Sequence, residues 1–383
     1  MRLAVVAQDN PYSEASWSGI PFHALQEIRR RFDDVHVVNT PKLDRLIRRS
    51  AQLARGRWDI AREPAMIAGI QARLTPAFDE IAPDVVISIA APHKVAWLVD
   101  RYPVIHVTDA MFDTMVNYYQ KYATMSSRSL RLGHAVQHRL VDGSRGLMVA
   151  SQWAAQSAAA YYNHPIDHFT VAPLSANFKE NPPPRIPRAN DGPLKLLFVG
   201  FNWQRKGGPL ALQAFQHLRV AEPQAEFHIV GCRPPGADAI PGVQVHGVLR
   251  KGDPAQALKL AQLLDSSHFF LMPSRQEAYG LVYCEACAFS LPPVATDTGG
   301  VGEIIRHGEN GLLLPPDADA AMYSQAILNV WRDSDRYVAM QLAARRAFNE
   351  RLNWRAWGDS LEHLVREIVG GGHGPARQCD AAG

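Results

Sequence analysis

The chain of 383 residues lacks any run of about 18 apolar residues, which excludes a membrane-spanning helix from the reading. Its opening Met1-Arg2 goes straight into Leu-Ala-Val-Val-Ala, too short and too soon interrupted for a signal peptide. The cytoplasm is therefore the expected location. A strong excess of charge is also missing: the net charge is +3, against general nucleic-acid binding. Cysteine is scarce, with four residues at 232, 284, 287 and 379. Cys284 and Cys287 form a lone C-x-x-C with no second Cys/His pair at ligand spacing, and a structural zinc wants four ligands. The pair falls in an apolar helical run, where small thiols are ordinary core residues. The phosphate-binding GxxxxGK[ST] is absent, and no GxGxxG follows the first strand candidate.

What is present suits two soluble cores of about 150–200 residues each. Short runs of Val, Ile, Leu and Ala alternate with longer helical patterns, the signature of parallel α/β layers. Strand candidates in the first half are residues 2–7, 35–38, 84–90, 104–108 and 146–150, with helices such as 22–31 and 129–141. Residues 175–193, SANFKENPPPRIPRANDGP, carry three consecutive prolines and no periodicity, so they break the pattern. Strands then restart at 194–199, 225–230, 243–248, 268–272 and 293–296, with helices at 209–221, 254–264 and 279–289. Three closing helices, about 317–331, 336–350 and 354–369, follow. The Gly-rich end from residue 370 reads as disorder. The expected organisation is α/β: a Rossmann-like domain at 1–175, a linker at 176–193 and a second Rossmann-like domain at 194–353. Ligands in such sheets sit at the carboxyl ends of the strands.

Three segments carry chemistry. PSRQEAYGLVYCE (273–285) leads from a strand into a helix expected near 279. It sets Glu277 just before the helix and Glu285 eight residues on, about two turns later. Two carboxylates there suit sugar and ribose hydroxyls, while the helix start offers backbone N–H groups to a phosphate. The alternative makes Glu277 a helix cap and Glu285 a solvated surface residue. FNWQRKGG (201–208) follows the first strand of the second domain, and Arg205 and Lys206 suit a diphosphate. TDTGGVGEII (296–305) has glycines that let backbone approach a ligand, and SWSGIPFHAL (16–25) offers Gly19 as an analogue in the first half. A further stretch, 42–62, carries Lys42, Arg45, Arg48, Arg49, Arg55, Arg57 and Arg62 among Leu46, Ile47, Leu53, Trp58 and Ile60. It reads either as a basic amphipathic helix on an anionic membrane surface or as a solvated helical face.

Together these residues resemble glycosyltransferase family 4. Glu277 and Glu285 match its E-x7-E motif, with AYGL resembling the usual E-G-F-G-L/I; GFNWQRKGG, TDTGGVGEIIRHGENGLLLPPD and Asn353-Trp354 agree. The resemblance implies a GT-B fold, two Rossmann-like domains facing a cleft, with the last helix crossing back to the first. It implies a retaining, metal-independent hexosyl transfer from a UDP- or GDP-linked sugar, without cofactor, to a glycan or lipid-linked acceptor in cell-surface polysaccharide or glycolipid synthesis. By position, Glu277 would bind the donor sugar and Glu285 the ribose. Gly280 and Leu281, with Arg205 and Lys206, would hold the diphosphate, and Gly19 would join the donor site. Two positions depart from the pattern. Phe201 stands where many members have arginine, and Asp109, rather than the mid-strand His106, takes the position of a histidine in the first domain. Asp109 and Glu277 are the expected catalytic residues. No D-x-D ends any of these strand candidates, in keeping with a metal-free reaction. The aromatic-rich 111–122 would face the acceptor or pack in the core. The alternatives are a nucleotide-sugar 2-epimerase of the same fold and a non-catalytic sugar-binding scaffold derived from a transferase.

Overall fold

The computed structural model describes residues 1–54, 56–178, 180–184, 187 and 192–371. Arg55, much of the expected linker, and the expected disordered tail from 372 onward, with Cys379, lie outside the described residues. The chain divides into two compact units, Met1–Ala172 with Trp354–Gly383, and Pro173–Asn353.

The first unit runs β1 (Arg2–Ala7), α1 (Ile20–Arg31), β2 (Asp34–Val37), α2 (Pro41–Leu53), α3 (Pro64–Ile81), β3 (Val85–Ile89), α4 (Pro92–Val95), β4 (Val104–Thr108), α5 (Phe112–Tyr118), α6 (Ser127–Gly143), β5 (Gly146–Val149), α7 (Gln152–Tyr162) and β6 (Phe169–Val171). All pairings are parallel, in the order β2-β1-β3-β4-β5-β6. Every residue of β3, β4 and β5 is buried, as expected of mainly apolar strands covered on both faces, and the polar Ser88 and His106 within them face each other across adjacent strands. The order reverses between β1 and β3.

The second unit runs β7 (Lys195–Val199), α8 (Gly208–Ala221), β8 (Glu226–Val230), β9 (Val243–Gly247), α9 (Pro254–Ser266), β10 (Phe269–Met272), α10 (Leu281–Ala288), β11 (Pro293–Thr296), α11 (Val301–Ile304), β12 (Leu312–Leu314), α12 (Ala320–Trp331) and α13 (Ser334–Glu350). Its parallel order is β12-β11-β10-β7-β8-β9. The reversal falls between β7 and β10, which opens a crevice at their carboxyl ends. The final helix, α14 (Trp354–Gly370), returns to the first unit and packs on α1. Arg31 holds it there, pairing with Glu27 on its own helix and with Asp359 and Glu362 at 2.7 and 2.8 Å.

Two expectations need correction. The first concerns a boundary: residues 173–175, expected in the first domain, and 176–178, expected in the linker, belong to the second unit, where Ser175 Oγ donates to the Leu352 carbonyl at 3.1 Å. Irregular chain with buried Leu174, Ser175 and Ala176 carries no periodicity, so sequence alone does not show which core it joins. Secondly, the basic stretch 42–62 is not one helix. α2 stops at Leu53, and Asp59 caps a separate turn at Ile60–Arg62. Arg62 turns inward, paired with Asp59 and 4.3 Å over the Phe112 ring; burial lowers its pKa to about 10. Arg48 pairs with Asp9. Two further strands, β6 and β12, had no counterpart among the strand candidates; each has three residues, too short to show a period of its own. No described helix is long and apolar enough to cross a membrane.

Candidate functional site

The loop after β7 is wound into a tight turn. Lys206 N–H donates to the Asn202 carbonyl at 2.9 Å, and the Asn202 side chain accepts from Arg205 N–H at 2.9 Å. This turn meets the loop after β10 backbone to backbone. Gly207 adopts φ +71°, and a Cβ there would lie 1.7 Å from the Pro273 carbonyl oxygen. Only glycine allows that approach. Consequently the two loops flanking the reversal share contacts. Arg205 Nη1 donates to the Gln276 carbonyl at 2.8 Å and stands 3.9 Å from Glu277 Oε2. Lys206 Nζ pairs with the same oxygen, to which Ser274 Oγ donates at 3.4 Å. Glu277 is buried, and two cations opposite a buried carboxylate offset its loss of hydration. Gly300 N–H, from the third sequence segment, donates to the Glu277 carbonyl at 3.3 Å.

α10 starts at Leu281, two residues later than expected. Glu277 therefore precedes the helix, and its eight-residue separation from Glu285 is not two helical turns. Gly280 is the N-cap at φ +99°, where a Cβ would come within 2.6 Å of the Tyr283 ring. No side chain caps the helix, and an uncapped helix start is suited to an anion. Glu285, in the second turn, is buried rather than solvated. Its carboxylate pairs with Lys251, whose Nζ also donates to the Asn177 carbonyl at 3.3 Å and lies 5.2 Å over the Phe178 ring. Lys251 was not among the residues expected from the sequence. The available signal was a basic pair, Arg250-Lys251, just past a strand end, which mirrors Arg205-Lys206.

Cys284 and Cys287 are wholly buried in α10. Burial raises both thiols, Cys287 to about 12. Tyr279, its pKa also raised by burial, donates to the Leu174 carbonyl at 2.7 Å. Phe201, at the departure from the family pattern, is 77% exposed. It borders an open depression of about 480 Å³ with Trp203, Cys232, Arg233 and Pro234.

In the first unit, Gly19 is the buried N-cap of α1 after β1, beside the β1/β3 reversal. Trp17, Ser18 and Gly19 take φ values of +39°, +57° and +85°, a strained run of the kind that concentrates at functional loops. Asp109 follows β4, one strand from the reversal, half-buried; its Oδ1 accepts from Ala110 N–H at 2.9 Å and Thr108 Oγ1 at 3.4 Å. His106 is buried in β4, its Nδ1 3.0 Å from Ser88 Oγ, and burial lowers its pKa to about 3. Within the aromatic stretch, Met111, Phe112 and Tyr119 are buried; Phe112 packs edge-on against Tyr122 and His134.

Residues 193–333 match the family model described as Glycosyl transferases group 1. A D-inositol 3-phosphate glycosyltransferase from Arthrobacter sp. (strain FB24) is 31% identical over 189 residues, which cover 46% of this chain and 45% of that protein. The chain spans about half the length of the first curated relatives it matches. Sucrose-phosphate synthase from Thermosynechococcus elongatus superposes with a TM-score of 0.70 at 15% identity, covering 97% of this chain and all of that one. Anabaena HepE in complex with UDP gives 0.66 at 14% identity, covering 96% and 100%. At such identities the likeness establishes the fold: two Rossmann-like units of the GT-B type.

Proposed function

We propose, from the premise that this chain carries a group 1 glycosyl transferase domain in a GT-B fold, that it transfers a hexose from a nucleotide-diphosphate donor with retention at the anomeric carbon. The observation that carries the reading is the convergence of Arg205, Lys206 and Glu277 at the β7/β10 reversal. A cation pair, a buried carboxylate and the start of α10 suit a ligand that joins a diphosphate to a polyol. In this reading Glu277 accepts from hydroxyls of the donor sugar, Glu285 accepts from the ribose, and Arg205, Lys206 and the amides at Gly280 and Leu281 hold the diphosphate. Lys206 has three N–H donors, so it can serve phosphate oxygens without releasing Glu277.

The reaction breaks the bond between the anomeric carbon and the diphosphate oxygen, and the electron pair goes to the departing diphosphate. The acceptor oxygen bonds to the anomeric carbon on the same face, and its proton passes to a donor phosphate oxygen. Stabilising the departing charge falls to Arg205, Lys206 and the helix start; loss of one such donor typically costs a hundredfold or more in rate. No cofactor or metal is assigned to this step. UDP is the first donor base to test, since the HepE neighbour is seen with UDP; GDP is the second. The first unit supplies the acceptor side, with Asp109 orienting a reacting hydroxyl and Gly19 letting backbone approach the ligand. The acceptor is a glycan or lipid-linked sugar of cell-surface synthesis. A cytoplasmic location suits this role. The relatives named above are a transferase and a synthase, so the nucleotide-sugar 2-epimerase reading is not favoured.

The test is nucleoside diphosphate release from UDP-, GDP- and ADP-sugars with supplied acceptors. Wild type should turn over one donor, and Glu277→Ala should abolish turnover. Full activity in that variant would overturn the assignment of Glu277. Binding without turnover of any donor would favour the scaffold alternative. Peripheral membrane contact would use the exposed part of 42–58, where Leu46, Leu53 and Trp58 stand among Lys42, Arg45, Arg49 and Arg57. Co-sedimentation with anionic but not neutral vesicles is expected; equal sedimentation with both, or none, rejects that contact.

A further inference from the structure

We infer that Lys251 is a positioning residue for the donor site, setting the carboxylate of Glu285 against the ribose diol; the inference rests on the donor reading above. Glu285 is 6% exposed, and Lys251 is the cation opposite it. The same ammonium reaches the Asn177 carbonyl at 3.3 Å and lies over Phe178 at 5.2 Å. One side chain therefore ties three pieces of the second unit: the loop after β9, the segment entering at 173–178, and the second turn of α10. A long lysine stem left in water samples many rotamers and fixes nothing. Here the ammonium has a carboxylate, a carbonyl and an aromatic face around it, which together define its place.

The geometry matters because a vicinal diol needs a carboxylate held in one plane. Lys251 engages Glu285 through Oε1. Each carboxylate oxygen accepts two hydrogen bonds, so this contact orients the group and leaves capacity for both ribose hydroxyls. Without the cation, Glu285 would be a buried charge with its compensating partner removed, free to turn toward water. The helix alone does not orient it: α10 fixes the Glu285 Cα, whereas the carboxylate torsion is set by whatever meets its oxygens.

The decisive probe is discrimination between ribose and 2′,3′-dideoxyribose. Calorimetric affinities are measured for UDP, GDP and ADP and for their dideoxy forms, with wild type, Lys251→Met, Lys251→Gln and Lys251→Arg. Wild type should prefer the ribose form of its nucleotide by about tenfold or more, the scale of hydrogen bonds to a charged group. Lys251→Met should bring that preference to within about twofold while changing dideoxy affinity by less than about threefold; Lys251→Arg should restore it. Lys251→Gln, which retains a donor, should fall between and replaces Lys251→Met if that variant does not fold. Equal loss of both affinities would mean a merely structural lysine and overturn the inference, as would full discrimination in Lys251→Met or Lys251→Gln. Failure of wild type to bind any of the three nucleotides would instead remove the donor reading, and the inference with it.

Discussion

Two carboxylates nearly out of water each face a lysine, Glu277 with Lys206 and Glu285 with Lys251. Removing one partner of a buried pair costs about 3 kcal/mol where nothing else meets the other charge, and less at Glu277, where Arg205 stands 3.9 Å away and Ser274 donates. Lys206→Ala should therefore lower the melting temperature as well as turnover, which separates it from a surface lysine; unchanged stability by calorimetry would deny the pairing. Gly280→Ala forces a Cβ against the Tyr283 ring at φ +99°, and should cost about 1–3 kcal/mol together with loss of nucleotide affinity. At this scale the sequence was legible where chemistry is written in side-chain type: Glu277, Glu285, Arg205 and Lys206 could all be named from spacing and motif. Lys251 could not, because its partner is chosen by the packing of a loop against α10. Nor could the burial of Glu285, since α10 is apolar around most of its circumference and a single acidic residue does not reveal which way it points.

Elements were legible in proportion to their length. β4 and β11 stand at the expected boundaries, because mainly apolar, β-branched runs end at polar or turn residues there. β6 and β12 escaped because three residues carry no period, and the true start of the second unit at Pro173 escaped because irregular chain shows no pattern that tells which core it joins. The return of α14 to the first unit came with the family resemblance, and its physical basis is local. Trp357 is 1% exposed, and Arg31 meets Glu27, Asp359 and Glu362 at the α1–α14 contact. Gly358 lies so close that a Cβ would fall 2.3 Å from Arg31 Nε. Arg31→Met should destabilise the first unit by about 3 kcal/mol. Chain ended at residue 353 should lose the cooperative melting of that unit; an unchanged first transition in calorimetry would contradict this.

For the whole molecule, acid is the revealing perturbation. His106 is held neutral by burial, with a folded pKa of about 3 against an ordinary value near 6.5. The unfolded chain takes up this proton first as pH falls. The stabilisation is thus complete above about pH 6.5 and is lost progressively between there and pH 3, at about 1.4 kcal/mol per pH unit. His106→Asn should flatten that part of the stability–pH curve; an unaltered slope would show that His106 does not titrate on unfolding. In the reading proposed above, the second unit binds a nucleoside-diphosphate sugar through Glu277, Glu285 and Lys206. Isothermal titration of UDP, GDP and ADP into wild type, Lys206→Ala and Glu285→Gln measures it most directly. Saturable one-to-one binding of one nucleotide is expected, weakened about tenfold or more in each variant. Undiminished binding in both variants, or no binding to wild type, would contradict it.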